Sequence, residues 1–197
     1  VIAVLATIAL SLASVLSPAT TEPPPIPDGY VPLVDSTGLL VVAVPESWTD
    51  VDPLPAVRDG VAQPYLAASP DLDVFLTSFD APGVLYAAFP FAADPTELLR
   101  AHGLTGGCAT LEVRSYDDPI FTGIVQVGTD CGATHMTWNM VVASPADQSF
   151  SAVVQVQSAP GDEATRIVML TFNVAPGAVA TFDTVPASST TPPSAPP

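Results

Sequence analysis

Between residues 119 and 157 the hydrophobic pattern has a period of two. The runs 120–127, 134–143 and 149–157 are rich in Val, Ile, Thr, Phe and Trp, and Val153-Val154-Gln155-Val156-Gln157 alternates apolar with polar. That period belongs to a half-buried strand, not to a helix. Turn residues separate the runs at Gly128-Thr-Asp-Cys-Gly132 and at Ser144-Pro-Ala-Asp147. Three strands joined by short turns make an antiparallel meander with one face available for a core.

Upstream, residues 30–35 and 39–44 read as a strand pair turning at Ser36-Thr37-Gly38. The second run is continuously apolar, as in a strand buried on both faces. Pro45 stops it, and Trp48 folds back as a core plug. Residues 51–60 read as loop, 63–68 and 83–89 as strands. Ser69 and Pro70 open a helix as cap and first residue, with Leu72, Phe75, Leu76 and Phe79 on one stripe. Asp94, Pro95 and Glu97 open a second, which Gly103 stops. Residues 103–118 then read as a glycine-rich connection. Asp162 caps a third helix with Ile167, Val168 and Leu170 inward, leading into Thr171-Phe-Asn-Val174. Strands with interspersed helices and no strict βαβ repeat predict an α+β domain on a mainly antiparallel sheet, with the meander in its C-terminal half.

The two ends carry other patterns. Residues 1–19 are almost wholly apolar, and as a helix would be about 28 Å long, close to the hydrocarbon thickness. The chain starts with neither Met nor a basic n-region, which reads as a truncated start. Two readings stand: a membrane anchor, or a signal h-region with Ser17-Pro-Ala19 as its cleavage site. Residues 20–27 form a Pro-rich extended spacer. The α+β domain spans 28–175, and 176–197 is a Pro/Ser/Thr-rich tail with too little apolar surface to order itself.

Charge narrows the partners. Four basic and twenty acidic residues give a net charge of −16. Such a surface cannot release counterions from nucleic acid, and anionic headgroups disfavour it, so membrane contact falls to residues 1–19 alone. Cys108 and Cys131 are the two cysteines. Behind an export segment a disulfide is the default pairing. It would tie the connection after the second helix to the first meander turn, with Cα atoms about 4.4–6.8 Å apart. A thiol nucleophile at Cys108 with His102 or His135 is the alternative. No hydrolase, metalloprotease, phosphate-loop or dinucleotide motif occurs, and no cofactor or metal site is implied. The pairs Asp50/Asp52, Asp71/Asp73 and Asp117/Asp118 suit turns and helix starts. His102 falls in the last turn of the second helix, where a cation suits the dipole.

Several segments recur in a known order: Thr37-Gly-x-x-Val-Val-x-Val-Pro45-x-x-Trp48-x-Asp50-Val51, Ala68-Ser-Pro-Asp-Leu-Asp73, Gly83-Val84, Tyr116-Asp-Asp-Pro-x-Phe-Thr-Gly123 between the cysteines, and Thr171-Phe172. Together they resemble exported domains of high-GC Gram-positive bacteria similar to the PsbP/Mog-like α/β/α sandwich. The resemblance spans residues 27–174. It implies an antiparallel sheet with helices on both faces, often behind a membrane helix and sometimes fused to a trypsin-like protease or a protein kinase. It brings no catalytic residues. The expected role is a non-catalytic extracytoplasmic binding or accessory module whose partner is an envelope protein. The alternatives are a small-molecule or lipid carrier with a cavity lined by Phe75, Tyr86 and Trp138, or a hydrolase using a histidine with Cys108 or a serine.

Overall fold

The computed structural model describes residues 25–58 and 60–184. In chain order the strands are β1 (Tyr30–Val34), β2 (Leu40–Pro45), β3 (Asp50–Asp52), β4 (Ala56–Arg58), β5 (Val61–Gln63) and β6 (Tyr65–Ser69). Helix α1 (Leu72–Thr77), β7 (Gly83–Phe89), α2 (Pro95–His102), β8 (Cys108–Asp117), β9 (Phe121–Cys131), β10 (Met136–Pro145) and β11 (Ser151–Ser158) follow. Helix α3 (Glu163–Thr171), β12 (Asn173–Val174) and β13 (Asp183–Thr184) close the described chain. The anchor-or-signal segment 1–19, most of the spacer and the tail from 185 lie outside the described residues. Among those described, no helix is long and apolar enough to cross a membrane.

Seven strands form the main sheet in the order β3-β6-β7-β11-β10-β9-β8, every pair antiparallel. It contains the meander β9-β10-β11, near where the alternating runs put it, except that β9 continues through the expected turn at Gly128 as far as Cys131 and the turn itself falls at residues 132–135. Val141 opposite both Val125 and Val154 typifies its register. A second sheet, β1-β2-β12, and a third, β13-β5-β4, complete the fold. Strand β13 lies beyond residue 175, where the domain was expected to end, and pairs with β5.

The layers differ from the expected α/β/α sandwich. Among the described residues this is a sheet-dominated antiparallel β fold with three short helices of 6, 8 and 9 residues. Those helices are too short to make two covering layers. One face of the main sheet is instead covered by the second sheet, with α3 beside it. Leu40, Val42 and Val44 of β2 share one core with Val84, Tyr86, Val154 and Val156 of the main sheet and Ala164 and Val168 of α3. Phe172, just past α3, stacks on Phe121 at 5.2 Å and meets Tyr86 edge-on at 5.8 Å. The opposite face carries a smaller core: Met136, Trp138, Met140 and Val142 of β10 and Val153 of β11, with Leu98 and Leu99 of α2 against them.

Local chemistry explains which boundaries held and which moved. Asp94 caps α2 by accepting Thr96 N–H, Pro95 fills its first turn and Gly103 ends it. Asp162 caps α3 in the same way, with Ile167 and Val168 buried, but Leu170 points outward and is 56% exposed. Helix α1 begins later than expected: Asp71 is its cap, while Ser69 still belongs to β6 and its hydroxyl donates to Pro82 O at 2.7 Å. Phe75 is buried, Leu76 is not. Residues 51–60 hold the short strands β3 and β4 rather than loop alone. The supposed loose connection 103–118 contains the ten-residue strand β8. Asp35, 3% exposed, anchors the β1–β2 turn by accepting the N–H groups of Leu39 at 2.9 Å and Leu40 at 2.8 Å.

Candidate functional site

The cysteines form the disulfide that the sequence led us to expect, but in a different setting. Cys108 opens β8 and Cys131 ends β9, and the two face each other in register. Gly132 N–H bonds to Gly107 O, which makes Cys108 and Cys131 a non-hydrogen-bonded cross-strand pair. Such pairs lie closest together. Their Cα atoms are 3.9 Å apart, nearer than the range expected for a bridge across a loop. The bond therefore staples the open end of a strand pair rather than holding a loose segment. Gln126 secures what precedes it: its amide accepts Leu104 N–H at 2.9 Å and donates to Leu104 O at 3.0 Å.

With its sulfur bonded, Cys108 is no nucleophile, so the hydrolase alternative loses its thiol. The two histidines lie in unrelated places. His135 sits in the β9–β10 turn at φ 56° rather than at a strand start, exposed and hydrogen-bonded to Asp130. His102 ends α2, as expected, but not as a cation serving the helix dipole. Burial, and then the Arg58 guanidinium beside it, lower its pKa. It stands neutral at pH 7. The acidic pairs do local work: Asp50 accepts Leu72 N–H, Asp71 caps α1, and Asp118 accepts Ile120 and Phe121 N–H at 2.7 Å.

The feature that stands out is the uncovered part of the main sheet's second face. Period-two alternation divides β7: Val84, Tyr86 and Ala88 enter the sealed core, while Leu85, Ala87 and Phe89 face the other way. On β11, Ala152, Val154 and Val156 are sealed, and Val153 and Gln155 face the open side. Over this floor the β4–β5 hairpin stands on one side and the end of α2 on the other. Between them is a cleft of about 320 Å³. Its floor is Leu85, Ala87, Met140 and Val153; its polar groups are Gln63, Tyr65, Gln155, Arg58 and His102.

Arg58 and His102 meet across this cleft. Arg58 Nη1 is 2.9 and 3.0 Å from the two ring nitrogens of His102. The imidazole also packs on Phe89, ring centres 4.9 Å apart. Burial, and secondarily the carboxylate of Asp52, push the Tyr65 phenol up, so it is a neutral hydrogen-bonding group. A neighbouring groove of about 270 Å³ shares His102 and Gln155 and adds Phe75 and Trp138. Tyr86, named with those two as a cavity lining, is on the sealed face, fully buried, its hydroxyl donating to Asn173 O at 3.1 Å. The three aromatics thus share no site.

The sequence offered one sign of this cleft, the glutamines alternating with valines in β11. Arg58, 44 residues from His102, gave none. No family model matches the chain, and neither does any curated protein. The resemblance to exported PsbP/Mog-like domains rests on motif order alone, and the sandwich it implied is not the one built.

Proposed function

We propose that this chain is a non-catalytic binding module working outside the cytoplasm at the cell envelope, with the cleft between the β4–β5 hairpin and α2 as its recognition site. The observation that carries this reading is the contrast in cover. One face of the main sheet is sealed by a second sheet, whereas the other keeps an apolar floor ringed by neutral hydrogen-bonding groups and one guanidinium. Concave apolar surface with a few placed polar groups is the usual form of a binding site. The pairing of both cysteines supports a recognition role over thiol chemistry. Residues 1–19 and the Pro-rich spacer would hold the domain at the membrane and away from it, or release it after cleavage.

An envelope protein inserting an apolar side chain is the first partner to test. The experiment is capture from envelope extract by the wild-type chain and by Ala87→Arg, which fills the cleft with a charged side chain. Partners retained by wild type and lost by the variant support the reading. Partners retained equally by both would move the interface elsewhere. The size of the cleft favours a second reading, the carrier of a small molecule: about 320 Å³ lies at the lower end of ligand pockets, which run from roughly 300 to 1,000 Å³.

A further inference from the structure

We propose that the cleft binds a small amphipathic molecule with a single carboxylate, Arg58 taking the carboxylate and the half-buried Leu85 and Phe89 taking the apolar body. This rests on the small-molecule reading above and adds the charge and shape of the ligand.

The charge of Arg58 is the first argument. Among the described residues the ion pairs are Arg114–Glu112, Arg166–Glu163 and His135–Asp130. Arg58 is in none of them. Among the described residues its side-chain contact is His102, a ring that brings no negative charge to offset the guanidinium. A guanidinium presents five N–H donors in a planar fork that matches a carboxylate in two parallel hydrogen bonds. His102 and Tyr65 are neutral donors or acceptors on the same cleft, able to take the carboxylate's outer lone pairs.

The net charge of −16 opposes any anion at long range. Distance decides the balance. Charges farther away than the Debye length, about 8 Å at physiological ionic strength, are largely screened. A carboxylate in contact with Arg58 is not. The distant acidic surface therefore slows encounter but does not cancel the contact; Asp52, close enough to Tyr65 to push its phenol up, is the carboxylate that opposes an anion here, and it turns away bare anions that gain nothing from the apolar lining. The apolar lining supplies the rest: Leu85 and Phe89 are only half-buried and line the cleft beside Met140 and Val153, which are already covered at 2% exposed each.

Titration of the full chain with octanoate, octanol, octylammonium and inorganic phosphate tests this, read by calorimetry and by amide shifts of residues 85–89 and 153–155. Octanoate should bind saturably, at least tenfold tighter than octanol or octylammonium, and phosphate should not bind. Arg58→Gln should weaken octanoate tenfold or more and leave octanol unchanged. Because Arg58 is exposed, an unchanged melting temperature shows that the variant is folded. Equal binding of octanol and octanoate would overturn the anion assignment and leave the carrier reading standing. Phosphate as tight as octanoate would overturn the amphipathic ligand in favour of a plain anion site. No binding of any probe would overturn both.

Discussion

The two faces of the main sheet are built from the same strands and differ in what covers them. On one, β1, β2, β12 and α3 bring an aliphatic and aromatic layer that leaves Val84, Tyr86, Val154 and Val156 fully buried. On the other, α1, α2 and the β4–β5 hairpin cover only part, and Leu85 and Gln155 line open space. A strand with side chains alternating between the two faces serves both at once. The lesson is a division of labour: the sealed face supplies the larger share of the folding free energy, and on the other face, outside its smaller core, the half-buried positions that line the cleft can vary with little effect on it.

Three measurements would break or sharpen that contrast. The largest effect belongs to the sealed side. Phe172→Ala removes a ring that is 3% exposed and packed on three aromatic neighbours, and should cost about 3–5 kcal/mol in denaturant unfolding. A cost below about 1 kcal/mol, within the range of ordinary surface changes, would mean that this face is not where stability resides.

Next comes the staple at the sheet's edge. Cys131→Ser should lower stability by about 2–4 kcal/mol. Since β8 is paired along its length with β9, the loss should be local: amides of residues 104–111 should exchange faster, while 113–117 stay close to their original protection. Uniform loosening of all of β8 would show that the bridge, not the ladder, holds this edge.

The smallest effect is on the open side, and it depends on pH. The His102 pKa in the folded chain lies below its ordinary value of about 6.5, so the unfolded chain takes up a proton that the folded one resists. Its contribution to stability is therefore whole above about pH 6.5 and is lost as pH falls through that value toward the folded pKa. The wild-type melting temperature should drop more between pH 7.5 and 5 than that of His102→Asn. Parallel curves would show that His102 is not the group responsible.

How much of this could be read from the sequence follows from burial. The meander was legible because its runs are rich in β-branched and aromatic residues and are broken by turn residues; β10 buries Met136, Trp138, Met140 and Val142 on one side, and β11 is buried everywhere but at Gln155. Helix α2 was legible from Asp94, Pro95 and Gly103, whose capping chemistry is local. Strand β8 was not: as an edge strand it is exposed or half-exposed at every position, Val113 is 55% exposed, and no apolar face marks it. The second sheet was half legible. The β1–β2 hairpin shows as two apolar runs around a turn, but β12 joins it from more than a hundred residues away through two paired residues. The disulfide could be paired by counting, yet its register could not. The cleft is the least legible, since it is made by a hairpin and a helix end that meet only in space.

The disulfide also binds the fate of a third residue to its own. Gly128 lies beneath the bridge: a Cβ there would come within 2.9 Å of Cys108 Sγ and 3.1 Å of Cys131 Sγ. While both cysteines are present, the sulfurs forbid any side chain at position 128. Were a lineage to lose the cysteines, that prohibition would ease, and a β-branched residue could refill the space and restore strand propensity. Once it had, the bridge could not be regained by reversing the cysteine changes alone. Substitution at 128 would act as a ratchet, making the order of mutations, and not merely their sum, decide whether this edge is held by covalent chemistry or by packing.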